Sequence, residues 1–371
     1  PSVHTATEHE SALPAEAESI AEVLKQYEYH TYACITNFHL GTWNNFNQGF
    51  DVYDQSIIEP KIYKDAYMIG DRYFLSVNRF KRVFNYRNTV VLAHKRVFPW
   101  LDKYHKTTFF MYCHYMDPHR PYDPPPPYNK LFPYDRKKSF EKDQARYDGE
   151  IRFFDDNVKK LFDRLKKLRI YDKSLIIITA DHGEAFGEHG LNGHGNSIYE
   201  NQIRVPLIIK LPHSAVTNAL INHPVGTIDI KPTILDILGI QTTDCSGRSL
   251  LPLIHGHKDS DRADELYIEL DRKLQPEHLQ KFRGLIVQGV WKYIHTVDMN
   301  QNDNVADIEL FNLRNDPEEL HNNYVPGSKR AVGMKQRLDR YRTYCSKTLP
   351  KKNVELDQEK IKALKALGYI Q

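Results

Sequence analysis

The sequence predicts an α/β fold, a mostly parallel sheet flanked by helices, with a smaller C-terminal antiparallel α+β subdomain. Three observations carry this expectation. Short apolar runs alternate with amphipathic helical stretches as far as about His255, and strands separated by helices imply a parallel sheet covered on both faces. Polar clusters follow several of those apolar runs directly, and in such sheets ligands bind beyond the C-terminal ends of the strands. After about His255 short strand candidates succeed one another, the pattern of an antiparallel unit.

The elements follow in order. Ser19 to Tyr27 places Ile20, Val23, Leu24 and Tyr27 on one helical face, and Ser19 with Glu22 forms a capping-box pattern. His30 to Ile35 and Phe109 to Tyr115 read as buried strands, the second followed by a proline-rich loop from Asp117 to Tyr128. Ala145 to Leu168 is a long amphipathic helix with Ile151, Phe154, Val158, Leu161, Leu165 and Leu168 on one face. Leu175 to Thr179 is a strand that delivers Asp181, Val205 to Lys210 is another, and Pro232 to Leu238 is a helix. The charged connector HGHKDSDRAD leads to strands at Glu265 to Leu270, Leu285 to Val287, Trp291 to Thr296 and Asp307 to Leu313, and Leu356 to Tyr369 reads as a helix. The expected division is residues 1–255 and 256–371.

Bulk properties exclude some classes of function. The chain has 371 residues, 40% apolar and 27% charged, with a formal net charge of +3. This near balance gives no reason to expect nucleic acid as a partner. No uncharged apolar run approaches the roughly 20 residues of a membrane span. Cys34, Cys113, Cys245 and Cys345 lie far apart without a CxxC pair, so neither a disulfide framework nor a structural zinc site is indicated. The N-terminus gives no indication of localisation.

The chemistry concentrates in ITADHGEAFGEHGLNGHGNSIYE, Ile178 to Glu200. A carboxylate and an imidazole at a strand end, Asp181 and His182, can both ligate a divalent ion. Glycines after them allow tight turns near an anion. Asn37 with His39, and Cys113 to His119, follow two other predicted strands, so the three clusters are expected to converge on one active site. Alone, a DHG tripeptide is as often a capped surface turn as a metal site.

Several blocks together resemble the sulfatase branch of the alkaline-phosphatase superfamily: PSVHTA, GFDVYD, FFMYCHYMDPHRPYDPP, the segment from YDGEIRFFDD through ITADHGEAFGEHG, and YENQIRVPLIIKLP. The later VGTIDIKPTILDILGI, ELFNLRNDPEELHN and ALKALGYIQ are also similar to that family. The resemblance implies an alkaline-phosphatase-like sheet and one divalent cation, calcium first, or manganese or zinc if the enzyme is phosphatase-like. Asp181 and His182 match half of the metal site. The other two aspartates, and a nucleophile that is formylglycine in true sulfatases, are expected before Pro1. His119 matches a histidine that contacts the sulfate, and His39 the histidine of a lysine-x-histidine motif whose lysine is here Asn37. His194 stands where many members carry a lysine, and His4 lies one place from a family arginine. His119, His39 and His194 are therefore expected to be catalytic, and Asn37 and His4 to bind substrate. His189 and His114 are expected to be structural, and Asp117 to shape the turn before Pro118.

The implied reaction is metal-dependent hydrolysis of a sulfate ester, with a small-molecule or saccharide sulfate ester as substrate. Two alternatives stay open: a phosphodiesterase or phosphonate monoester hydrolase on the same fold, and a non-catalytic protein that binds an anion.

Overall fold

The computed structural model describes residues 12–58, 88–135, 137–216, 218–241, 245–257, 265–275, 278–287, 289–298 and 305–346. His4 and the expected helix from Leu356 to Tyr369 lie outside the described residues. The chain forms two compact units, one within Pro1–Asp172 and one within Lys173–Thr348.

The first unit begins with α1, Ile20–Gln26, and its capping box is formed. The Glu22 N–H donates to the Ser19 hydroxyl at 3.1 Å, and the Ser19 N–H to the Glu22 carboxylate at 2.8 Å. Three parallel strands follow, β1 (His30–Cys34), β2 (Val52–Asp54) and β3 (Phe109–Cys113), in the spatial order β2-β1-β3. From Thr31 onward β1 is buried throughout, which is why its sequence is a continuous run rather than an alternation.

Helices α2 (Thr89–Tyr104) and α3 (Ser139–Lys167) complete this unit. Val90, Ala93, Val97 and Leu101 of α2 are fully buried, and Trp100 stacks on Tyr32 with ring centres 4.7 Å apart. The long helix starts at Ser139 rather than Ala145. Its first turns are polar, so no apolar stripe announced them.

The second unit contains β4 (Ile176–Thr179), the hairpin β5 (Ala185–Phe186) and β6 (Asn192–Gly193), α4 (Glu200–Ile203) and β7 (Leu207–Lys210). Here the structure departs from a purely parallel arrangement, because β7 runs antiparallel to β4. The hairpin and α4 turn the chain back on itself, where a parallel neighbour would need a crossover on one face. Strand β7 begins at Leu207, one residue after Pro206, which has no N–H for the ladder.

Helices α5 (Ile230–Ile237) and α6 (Leu251–Ile254) lead to four antiparallel strands: β8 (Glu265–Gln275), β9 (His278–Val287), β10 (Trp291–Asp298) and β11 (Val305–Asn312). The four predicted strands are thus present and longer than read. One face of this sheet packs on α7 (Lys329–Ser346) through Leu285, Tyr293, Leu310, Met334 and Leu338. The other face, with Ile294 and Phe311, receives Ile198 from the segment before α4.

Candidate active site

In the first unit the parallel register sets the stage. Cys34, Asp54 and Cys113 are Cα partners at the ends of β1, β2 and β3. The segments carrying Asn37 with His39 and His114 to His119 therefore leave the same edge of the sheet, as the strand-end argument expected. Thr36 ties them together. Its hydroxyl donates to the His114 carbonyl at 3.0 Å and lies 3.1 Å from His114 Nδ1. His114 is thus part of the strand-end packing.

Asn37 has a defined local job. Its carboxamide oxygen accepts the His39 N–H at 2.9 Å, and the His39 carbonyl accepts Asn44 Nδ2 at 2.9 Å. An asparagine that closes this turn on its own loop fixes His39. A neutral carboxamide brings no positive charge to this corner, where the resemblance implies a lysine.

His119 is half-buried, and its Nδ1 lies 2.6 Å from the Arg120 carbonyl oxygen. A carbonyl only accepts, so Nδ1 carries a proton, and in the neutral ring the lone pair sits on Nε2. Asp117 does more than shape a turn. Its buried carboxylate accepts the Thr89 hydroxyl and the Val90 N–H, the latter at 2.8 Å, and so caps α2 from a distant part of the chain. Burial pushes its carboxyl above the usual range, against those hydrogen bonds.

The second unit brings Asp181, His182 and His194 together. Asp181 Oδ1 accepts the His182 N–H at 3.0 Å and lies 3.8 Å from His182 Nε2. His182 Nδ1 is 2.8 Å from the Gly183 carbonyl oxygen. That bond places the proton on Nδ1, so the neutral ring offers its Nε2 lone pair beside the carboxylate oxygen. Two electron-pair donors at this separation fit the nitrogen and oxygen ligands of one divalent cation, with the carbonyl orienting the imidazole from behind. Among the described residues no group of three or more such ligands is assembled.

The ring of His194 stacks on that of His182, with centres 3.9 Å apart and planes 26° from parallel. Its Nδ1 lies 3.1 and 3.2 Å from the two carboxylate oxygens of Glu184, whose side chain is buried. The sequence pattern does not single out Glu184. The only signal was its place two residues after His182, and the contact depends on β5 pairing with β6, which folds His194 back over it.

Gly183 corrects one expectation. A side chain there would meet a neighbouring backbone: an added Cβ would stand 2.2 Å from the Asn201 carbonyl oxygen. The glycine thus serves a close approach to α4, sealed by the Gly183 N–H donating to the Gln202 carbonyl at 2.7 Å. The ring of His189, expected to be structural, stacks on that of Tyr199 at 3.9 Å.

Comparisons with known proteins agree with this architecture. The sulfatase family model matches residues 2–240, and the model for the C-terminal part of N-sulphoglucosamine sulphohydrolase matches residues 187–343. A choline-sulfatase of Rhizobium meliloti is 30% identical over 191 residues, covering 50% of this chain and 34% of that protein. The chain spans about a third of the length of the curated relatives it matches. Among solved structures, a protein in complex with its substrate D-glucosamine-2-N,6-O-disulfate superposes with a TM-score of 0.71 at 18% identity, over 94% of this chain and 86% of that one. The phosphonate monoester hydrolase of Agrobacterium radiobacter superposes with a TM-score of 0.72 at 18% identity, over 92% and 83%. At such identities these two likenesses speak for the alkaline-phosphatase-like fold alone. The family match over residues 2–240 covers more than half of the sequence, and the chain belongs to the sulfatase family.

Proposed function

We propose that this chain carries the later metal pair and the histidines of a metal-dependent sulfuric ester hydrolase, acting on a sulfated saccharide. The observation that carries the reading is the pairing of Asp181 Oδ1 and His182 Nε2 at 3.8 Å, with the histidine tautomer set by Gly183. Family membership supports it, as does the sulfated-saccharide complex of a protein with the same fold. Asp181 and His182 would hold the ion, for which calcium is the first choice. When bound, a divalent cation offsets the charge of the ester oxygens.

The protein's own side chains do the rest. His194, whose Nδ1–H is taken up by the Glu184 carboxylate, faces the developing negative charge as an imidazolium, through its Nε2–H. His119 exchanges a proton at Nε2 with the leaving or attacking oxygen, because its Nδ1 is already engaged. His39, fixed by the Asn37 turn, is a further donor to the ester group, and the remaining amide of Asn37 is a neutral contact to substrate.

The test uses the full-length gene product. Calcium binding by calorimetry and hydrolysis of an aryl sulfate are measured for wild type and Asp181→Ala. The reading expects both to fall by at least about a hundredfold. Unchanged metal content and turnover in the variant would refute it. Faster turnover of a phenylphosphonate ester than of the aryl sulfate would favour the phosphonate hydrolase instead. Calcium binding without any turnover would favour an anion-binding protein.

A further inference from the structure

The loop that carries His119 lies along one face of α3, and the contacts repeat at helical spacing. Arg146 Nη1 donates to the Tyr122 carbonyl at 3.2 Å. Gly149 lets the proline-rich segment come close, since an added Cβ would stand 2.7 Å from the Tyr128 carbonyl oxygen and 2.9 Å from Pro124 Cγ. Tyr128 donates its hydroxyl to Asp156 at 2.8 Å and packs its ring edge-on to Phe153. At the centre of this face is Glu150, only 7% exposed. Its Oε1 accepts the Asp123 N–H at 2.6 Å, and the backbone N–H of His119 also donates to its carboxylate.

A carboxyl group is an unfavourable choice for packing at this place. Burial, with Asp117 and Asp123 nearby, pushes Glu150 up to about 8. An apolar residue would avoid that penalty but would leave two inward-pointing N–H groups without an acceptor. One of these belongs to His119 itself. The His119 ring is in turn bonded through Nδ1 to the carbonyl of the next residue, so it turns with the backbone. A shift of that backbone moves Nε2.

We propose that Glu150 is a positioning residue for His119: it gathers the backbone N–H groups of His119 and Asp123 and so fixes where the imidazole Nε2 points. Gly149 complements it by admitting Pro124 and Tyr128 to the helix. The inference rests on the role assigned above to His119.

A double-mutant cycle in the full-length gene product tests it, with aryl sulfate hydrolysis as the readout. Glu150→Ala is expected to lower kcat at least about tenfold with a smaller change in KM. In a His119→Ala background the same substitution is expected to change the rate by less than about twofold, because there is no imidazole left to misplace. Glu150→Gln keeps one carbonyl acceptor and is expected to retain more activity than Glu150→Ala. A merely structural Glu150 would lower the rate equally in both backgrounds, and that result, or a Glu150→Ala enzyme as fast as wild type, overturns the proposal. Where Glu150→Ala does not fold, Glu150→Gln takes its place in the cycle. If the wild type hydrolyses no sulfate ester, the functional reading fails separately. Positioning is then read from the His119 ring signals in NMR. Glu150→Gln is expected to shift them and to leave those of His105 in place; unmoved His119 signals overturn it.

Discussion

The imidazole rings of His182 and His194 stack at 3.9 Å, although twelve positions separate them in the chain. One ring belongs to the proposed metal pair, and the other stands where the resemblance to the sulfatases implies a lysine. The stack fixes His194 from one side while Glu184 holds its Nδ1 from the other. If His194 serves as a donor to the ester group, a lysine should do the same work. His194→Lys is expected to keep hydrolysis within about tenfold of wild type, and His194→Ala to lose about a hundredfold. Equal losses in the two variants would show that the ring stack matters and the donor does not.

Gly183 should tolerate no side chain. An added Cβ would stand 2.2 Å from the Asn201 carbonyl oxygen, and backbone cannot swing away as a flexible side chain does. Gly183→Ala is expected to destabilise the fold by about 1–3 kcal/mol in urea denaturation, the range of overpacked sites. Calcium affinity should fall with it, because the same residue's carbonyl orients His182.

Lys292 is completely buried on β10, with Nζ 3.0 Å from Glu200 and 2.7 Å from Glu319. Glu319 also accepts the Glu200 N–H at 2.6 Å, which anchors the start of α4. Lys292→Met would leave the two carboxylates facing each other without compensation. The expected loss is about 3–5 kcal/mol, measured by chemical denaturation. Adding Glu319→Gln to that variant should recover part of the loss, since the amide oxygen can still accept the Glu200 N–H.

Glu150 makes stability depend on pH. Its carboxyl rises from 4.5 to about 8 in the fold, chiefly through burial and then through Asp117 and Asp123, while the N–H groups of Asp123 and His119 act in the opposite sense. The folded state therefore holds this proton more tightly than the unfolded chain does. Its contribution is fully present below about 4.5 and is lost as pH rises towards about 8. Asp123, one of those two neighbours, lies 3.9 Å from Arg146. The melting temperature of wild type minus that of Glu150→Gln is expected to fall across this window. A flat difference would count against a raised carboxyl.

Much of the fold was legible because periodicity is a local property. The capping box of Ser19 and Glu22, the buried strands β1 and β3, the long helix and the four antiparallel strands all follow from side-chain spacing within one element. That Asp181 and His182 stand side by side just after β4 is legible for the same reason, since adjacency needs no knowledge of the rest of the chain; their proposed role as a metal pair is not.

Tertiary structure decided what depends on contacts between distant segments. Asp117 became the cap of α2, Glu184 the partner of His194, and Glu150 the anchor of the His119 loop. Composition changes near His255, yet Ile198 and Glu200 pack against the sheet that follows it. The antiparallel pairing of β7 with β4 was equally silent in the sequence. A one-dimensional pattern fixes which face of an element is apolar and where it starts and stops. Which buried N–H meets which carboxylate is set only when the elements pack.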